Sequence, residues 1–94
     1  MEPISLSSVD GRQILFQTEK FKVVCFVFEP GKGLPNHTHN GFATIQIISG
    51  SADMTFTDGR HFDLQAGDIL AFDAKIEHNV IAKETCKMVV TIVF

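Results

Sequence analysis

The stretch PNHTHNGFATIQIISG, residues 35–50, carries the side chains best suited to chemistry. His37 and His39 are one residue apart, and on an extended chain positions i and i+2 face the same side. Two neutral imidazoles at that spacing can grip one divalent ion, because an unprotonated ring nitrogen is a good donor to Zn, Fe, Ni and Cu. Taken alone the pair also reads as two surface histidines, and both readings stand at this point. No carboxylate follows in residues 40–50 to complete a ligand set. A third imidazole, His78, lies downstream in GDILAFDAKIEHNV, at the head of an apolar run.

Other polar residues have plainer expected roles. Alternation from His39 turns Ala43, Ile45 and Ile47 inward and Gln46 outward. A bulge at Gly41 would reverse this and make Gln46 a fourth ligand or a substrate contact. In RHFDL, Phe62 and Leu64 face a core, so His61 points away to the surface. Asp68 in the QAGD turn is expected to bond the turn backbone. Glu77 is expected to face solvent, with a supporting hydrogen bond to a ligand histidine as the alternative.

These residues must be positioned by strands. No window carries helical apolar spacing free of Gly, Pro or β-branched residues. Short β-rich runs recur instead, at 13–18, 21–29, 43–49, 52–57, 60–64, 68–73, 78–83 and 87–94. Turn chemistry separates them. EPGKGLPN reads as a loop, and TDGR as a two-residue hairpin turn whose Asp-Gly supplies positive φ angles. ADMTFT has one apolar and one polar face, whereas FKVVCFVFE and KMVVTIVF are apolar on both. Evenly spaced strands without helices imply an all-β sandwich or barrel. The apolar outer faces need a cover, either a second copy of the chain or the N-terminal arm, residues 1–12.

With 94 residues there is room for one domain, an arm at 1–12 and a barrel at 13–94. The formal net charge of −3, with basic residues scattered singly, argues against nucleic acid or an anionic membrane as partner. The start MEPISLSSVDG lacks the basic and apolar regions of a signal peptide, and MVVTIVF is too short to span a bilayer. A cytoplasmic protein with Cys25 and Cys86 reduced in its core is expected.

The arrangement resembles the cupin superfamily. Its first motif is G-x5-H-x-H-x3,4-E-x6-G, matched by Gly31, His37, His39 and Gly50. Its second is G-x5-P-x-G-x2-H-x3-N, matched by Gly67 and His78. The resemblance spans roughly residues 13–94 and implies a jelly-roll (double-stranded β-helix) barrel of short antiparallel strands. Departures are clear: Ala43 or Thr44 stands where the family carries its glutamate ligand, and Asp73, Lys75 and Ala82 replace the proline, glycine and asparagine of the second motif.

By resemblance, His37, His39 and His78 are the metal ligands, and the cofactor is a divalent transition metal (Fe, Zn, Ni, Mn, Co or Cu). Losing the glutamate leaves a three-histidine centre more Lewis acidic and less tightly bound, or an empty pocket. Ala43, Ile45, Ile47, Met54, Phe56, Phe72 and one of Ile69 and Leu70 are the candidate inner wall, either a greasy pocket for a small-molecule ligand or simple core. Two functions follow as expectations for a homodimer: a metal-dependent dioxygenase, or a non-catalytic binding or sensor module.

Overall fold

Alternating side chains define the strands and decide which face of each is buried. In β5 (Ser51–Phe56), Ala52, Met54 and Phe56 are 0, 0 and 1% exposed, while Asp53 and Thr55 face the other way. The same period governs β4 (Phe42–Ser49), with Ala43, Ile45 and Ile47 buried and Gln46 exposed between them. The structure, a computed structural model, describes residues 2–94. Its other strands are β1 (Arg12–Gln17), β2 (Phe21–Phe28), β3 (Gly33–His37), β6 (His61–Gln65), β7 (Ile69–Asp73), β8 (His78–Ala82) and β9 (Cys86–Val93). A single 3-10 turn, Leu6–Ser8, lies in the N-terminal arm. Among the described residues no helix is long and apolar enough to cross a membrane.

The strands form two antiparallel sheets, one ordered β1-β2-β9-β4-β7 and the other β3-β8-β5-β6. From β2 to β9 the chain changes sheet at every connection except the β5–β6 hairpin. One continuous apolar filling lies between the sheets, centred on Ile45, Ile47, Met54, Phe56 and Met88. This is the all-β jelly-roll architecture implied by the resemblance, with side chains closing the sheets together.

The sequence reading differs from the structure at two joints. GKGLPN was expected as loop, yet residues 33–37 form β3. A strand holding Gly33 and Pro35 has little β signal, but β3 lies at a sheet edge, where proline is tolerated. The TDGR connection is also longer than a two-residue turn. Residues 57–60 connect the strands, Gly59 alone has positive φ (98°), and the Gly59 amide donates to the Phe56 carbonyl at 3.0 Å. Asp58 keeps a negative φ, so the loop follows the longer hairpin pattern in which only the glycine is left-handed.

The outer face of the large sheet is partly covered by the arm. Lys87, which pairs with Val27 and faces outward, donates from Nζ to the Leu6 carbonyl. Val9 of the arm is buried, and Cys25, on the same outward side as Lys87, is fully buried although it stands outside the core cluster. Both cysteines are free, and burial pushes both thiols up from their ordinary range. Phe42, Ile69 and Val93 stay uncovered on this face at 61, 63 and 49% exposure.

One close approach fixes β3 against β8. A Cβ added at Gly33 would stand 1.9 Å from the Val80 carbonyl oxygen, a backbone atom with no room to yield. Glycine is therefore required for this pairing. Gly33→Ala is expected to lower the unfolding free energy by about 2–3 kcal/mol in a urea titration. An unchanged midpoint would contradict the packing described.

Candidate functional site

The pairing of β3 with β8 sets the site. Gly33 lies opposite Ile81 and Leu34 opposite Val80; after a shift in register, His37 meets His78. The last residue of one strand thus faces the first of the other. Just outside the pair, the Asn79 side-chain Nδ2 donates to the Asn36 side-chain Oδ1 at 2.8 Å, tying the two strand ends. His39 follows in the loop 38–41, which is clipped to the β7–β8 connection. Its amide donates to the Ala74 carbonyl at 2.8 Å, and the Ala74 amide donates back to the Gly41 carbonyl at 2.8 Å.

These contacts gather three imidazoles. The His37 ring lies 4.3 Å from that of His78 and 5.3 Å from that of His39, edge-on to both. His78 is the anchored member, 2% exposed, with its ring 4.9 Å from Phe72 and 5.7 Å from Phe56. His37 is half-buried and His39 exposed.

Hydrogen bonds select the tautomers of two rings. The Nδ1 of His37 bonds the Pro35 carbonyl at 2.7 Å, and the Nδ1 of His78 bonds the Ile76 carbonyl at 2.7 Å. A carbonyl only accepts, so in each ring Nδ1 carries the proton and Nε2 keeps its lone pair. Burial, then the neighbouring His37 and His39, lower the pKa of His78, against the raising effect of its bond to Ile76. Burial, then His37 and Lys22, lower that of His39. Both shifts favour the neutral form that a metal requires.

The donor set therefore fits a divalent ion in its chemistry: three imidazoles at one mouth, two with Nε2 bare. As the side chains stand, no group of three or more His, Cys, Asp or Glu among the described residues is arranged to hold a metal ion. His37 and His78 already lie together, and assembly would need the exposed ring of His39 to turn towards them. Exposed side chains make such rotations readily.

A cavity of about 290 Å³ adjoins the histidines. Val24 and Phe26 of β2, Leu34 of β3, Phe72 of β7, and Val90 and Ile92 of β9 form its apolar walls, with Ala43 beside them. Of the expected inner-wall residues, Ala43 and Phe72 line this space. Ile45, Ile47, Met54 and Phe56 do not; at 0–1% exposure they are the core beneath it. Leu70 packs against that core and Ile69 is exposed.

Gln46 is exposed on the opposite face of β4. The pairing with β7 runs without a break from Phe42–Asp73 to Gln46–Ile69, so Gly41 introduces no bulge to turn Gln46 inward. His61 faces outward, its Nε2 3.1 Å from Asp53 Oδ1, and Asp68 Oδ2 accepts the Gln65 amide at 2.8 Å, as expected of a turn residue. Glu77 is exposed.

Seven cavity residues escaped the sequence reading: the apolar Val24, Phe26, Leu34, Val90 and Ile92, and two cations. Arg12 and Lys22, taken there as scattered surface charges, both line the cavity. Lys22 keeps step with Val24 and Phe26 in β2, and that alternation was the available signal. Arg12 opens β1 opposite Phe26 and had none beyond its type.

Comparison with known proteins agrees with this architecture. The family model described as "Cupin domain" (Cupin_2) matches residues 24–94. Among solved structures, an RmlC-like cupin protein from Desulfovibrio desulfuricans superposes with a TM-score of 0.88 at 25% identity, over 99% of this chain and 96% of that one. A cupin superfamily protein from Desulfitobacterium hafniense gives 0.89 at 23% identity, over 95% and 86%. An RmlC-like cupin from Methanocaldococcus jannaschii, described as a double-stranded β-helix, gives 0.78 at 20%, over 87% and 77%. No curated protein sequence matches the chain significantly. With the family model covering most of its length and the histidine mouth in place, the chain belongs to the cupin domain family.

Proposed function

We propose that this cupin holds a divalent transition ion (Zn, Ni, Fe, Co, Mn or Cu) through His37, His39 and His78 and receives a small molecule in the adjoining cavity. The observation that carries the reading is the pair of Nδ1–carbonyl bonds at His37 and His78, which leave both Nε2 atoms bare where β3 meets β8. Ala43, 2% exposed beside Phe72 and Ile92, stands where a glutamate would bring a negative charge. The bound ion would supply Lewis acidity and open positions for a substrate.

What this chain's own residues do is narrower. His78 is fixed by burial against Phe72 and sets the position of the centre. The apolar walls exclude water from the ligand's body. No carboxylate, hydroxyl or thiol lines the cavity. That wall offers no dedicated acid–base pair, so the reaction it suits best is oxidation by dioxygen. Both oxygen atoms would enter the substrate, whose own electrons reduce them. The same lack of acid–base residues supports a second reading, a binding or sensor module that leaves its ligand unchanged. The two free cysteines support a reducing, cytosolic setting.

We further propose that a second copy of the chain covers Phe42, Ile69 and Val93. These three lie on the outer face of one sheet, beyond the reach described for the N-terminal arm. An isologous pairing would bury each patch against its twin.

Two outcomes are expected. Untagged protein should co-purify with, or take up, close to one equivalent of metal by elemental analysis, and His37→Ala and His78→Ala should each lose most of it. Unchanged metal content in both variants would remove the site assignment, while oxygen uptake by the iron(II)-loaded protein separates enzyme from sensor. In sedimentation equilibrium the protein should be a dimer, and Ile69→Glu should shift it towards monomer. A monomer at all accessible concentrations would exclude the pairing.

A further inference from the structure

The charges at the cavity mouth are all of one sign. Arg12 and Lys22 are its charged side chains, and no aspartate or glutamate lines it. Neither cation has a salt-bridge partner among the described residues, whereas Arg60, Lys75 and Lys83 each pair with an aspartate. Lys22 is half-buried and projects from β2 to the inner side, beside Ile92. Arg12 stands at the other end of the same inner face, its guanidinium 6.0 Å from the Phe26 ring centre. Val24 lies between them on β2, so the two cations flank an apolar floor.

Half-buried Lys22, unpaired and turned towards an apolar cavity, is held at some cost in hydration that an entering anion offsets, while exposed Arg12 adds its charge at the rim. We propose that the ligand is a small organic carboxylate with an apolar body, its charge held by Lys22 and Arg12 and its body laid against Phe26, Phe72 and Val90. The volume is at the low end of small-molecule sites, ~300–1,000 Å³, which favours a compact monoanion. A carboxylate suits this mouth better than a phosphate dianion, because beyond the two cations and the three histidines the lining is apolar and carries no hydroxyl or side-chain amide donor. This inference deepens the proposed small-molecule role of the same cavity and rests on it, but it does not depend on the metal.

The test uses metal-free full-length protein, so that failure of the metal assignment and failure of this one can be told apart. Binding of 3-phenylpropionate and of its neutral isostere 3-phenylpropanamide is followed by methyl and histidine chemical shifts at millimolar concentrations. The acid should bind about tenfold more tightly than the amide. Lys22→Gln and Arg12→Gln, both retaining a folded spectrum, should each reduce that preference, and the double variant should abolish it while leaving amide binding unchanged. Equal binding of acid and amide, a preference that survives the double variant, or no binding of either compound would overturn the proposal.

Discussion

The structure depends on the pairing of one short edge strand with its neighbour. β3 has neither the length nor the composition to stand alone, and it is held because Gly33 lets it approach the Val80 carbonyl where any side chain would collide. That contact sets the register, and the register carries His37 to His78. The bonds from the two Nδ1 atoms to Pro35 and Ile76 follow, because each carbonyl lies two residues before its histidine. Ring orientation is thus a consequence of backbone placement. His39 depends on a separate clip through Ala74 and Gly41, and is the least constrained of the three.

Packing divides the interior by depth. Ile45, Ile47, Met54, Phe56 and Met88 fill the space between the sheets completely, which secures the walls. Towards the histidines, where small Ala43 lines the wall, the filling opens into a cavity. Phe72 belongs to both regions, since it packs against Phe56 at 5.7 Å and supports His78 at 4.9 Å. No carboxylate lines the mouth, and three imidazoles and two cations face the opening. In the proposed account, the incoming ligand supplies the negative charge that the protein does not.

Much of this was readable from residue types and spacing. The period of two in ATIQIIS and ADMTFT gave the correct faces, including the outward turn of Gln46, because burial on one side of a sheet leaves alternation intact. The spacing of His37 and His39 put that pair on one side, and the family resemblance, not spacing, added His78. β3 was not readable: Gly33 and Pro35 carry loop chemistry, and the strand exists through its partner β8 rather than through its own preferences. Nor could the boundary between core and cavity be drawn. Ile45 and Ala43 share one face of β4, and only the shape of the opposing sheet decides which of them meets an open space. Arg12 was lost among single surface charges, and Lys22 with it, although its alternation with Val24 and Phe26 marks its face.

The central claim is that one ion is shared by His37, His39 and His78. X-ray absorption spectroscopy of the metal-loaded wild-type protein tests it most directly, because imidazole rings give multiple-scattering features that report how many are bound. The account predicts three imidazole nitrogens at about 2.0–2.1 Å for zinc, with oxygen donors completing the shell. A spectrum fitted by oxygen donors alone, or by a single imidazole, would contradict it.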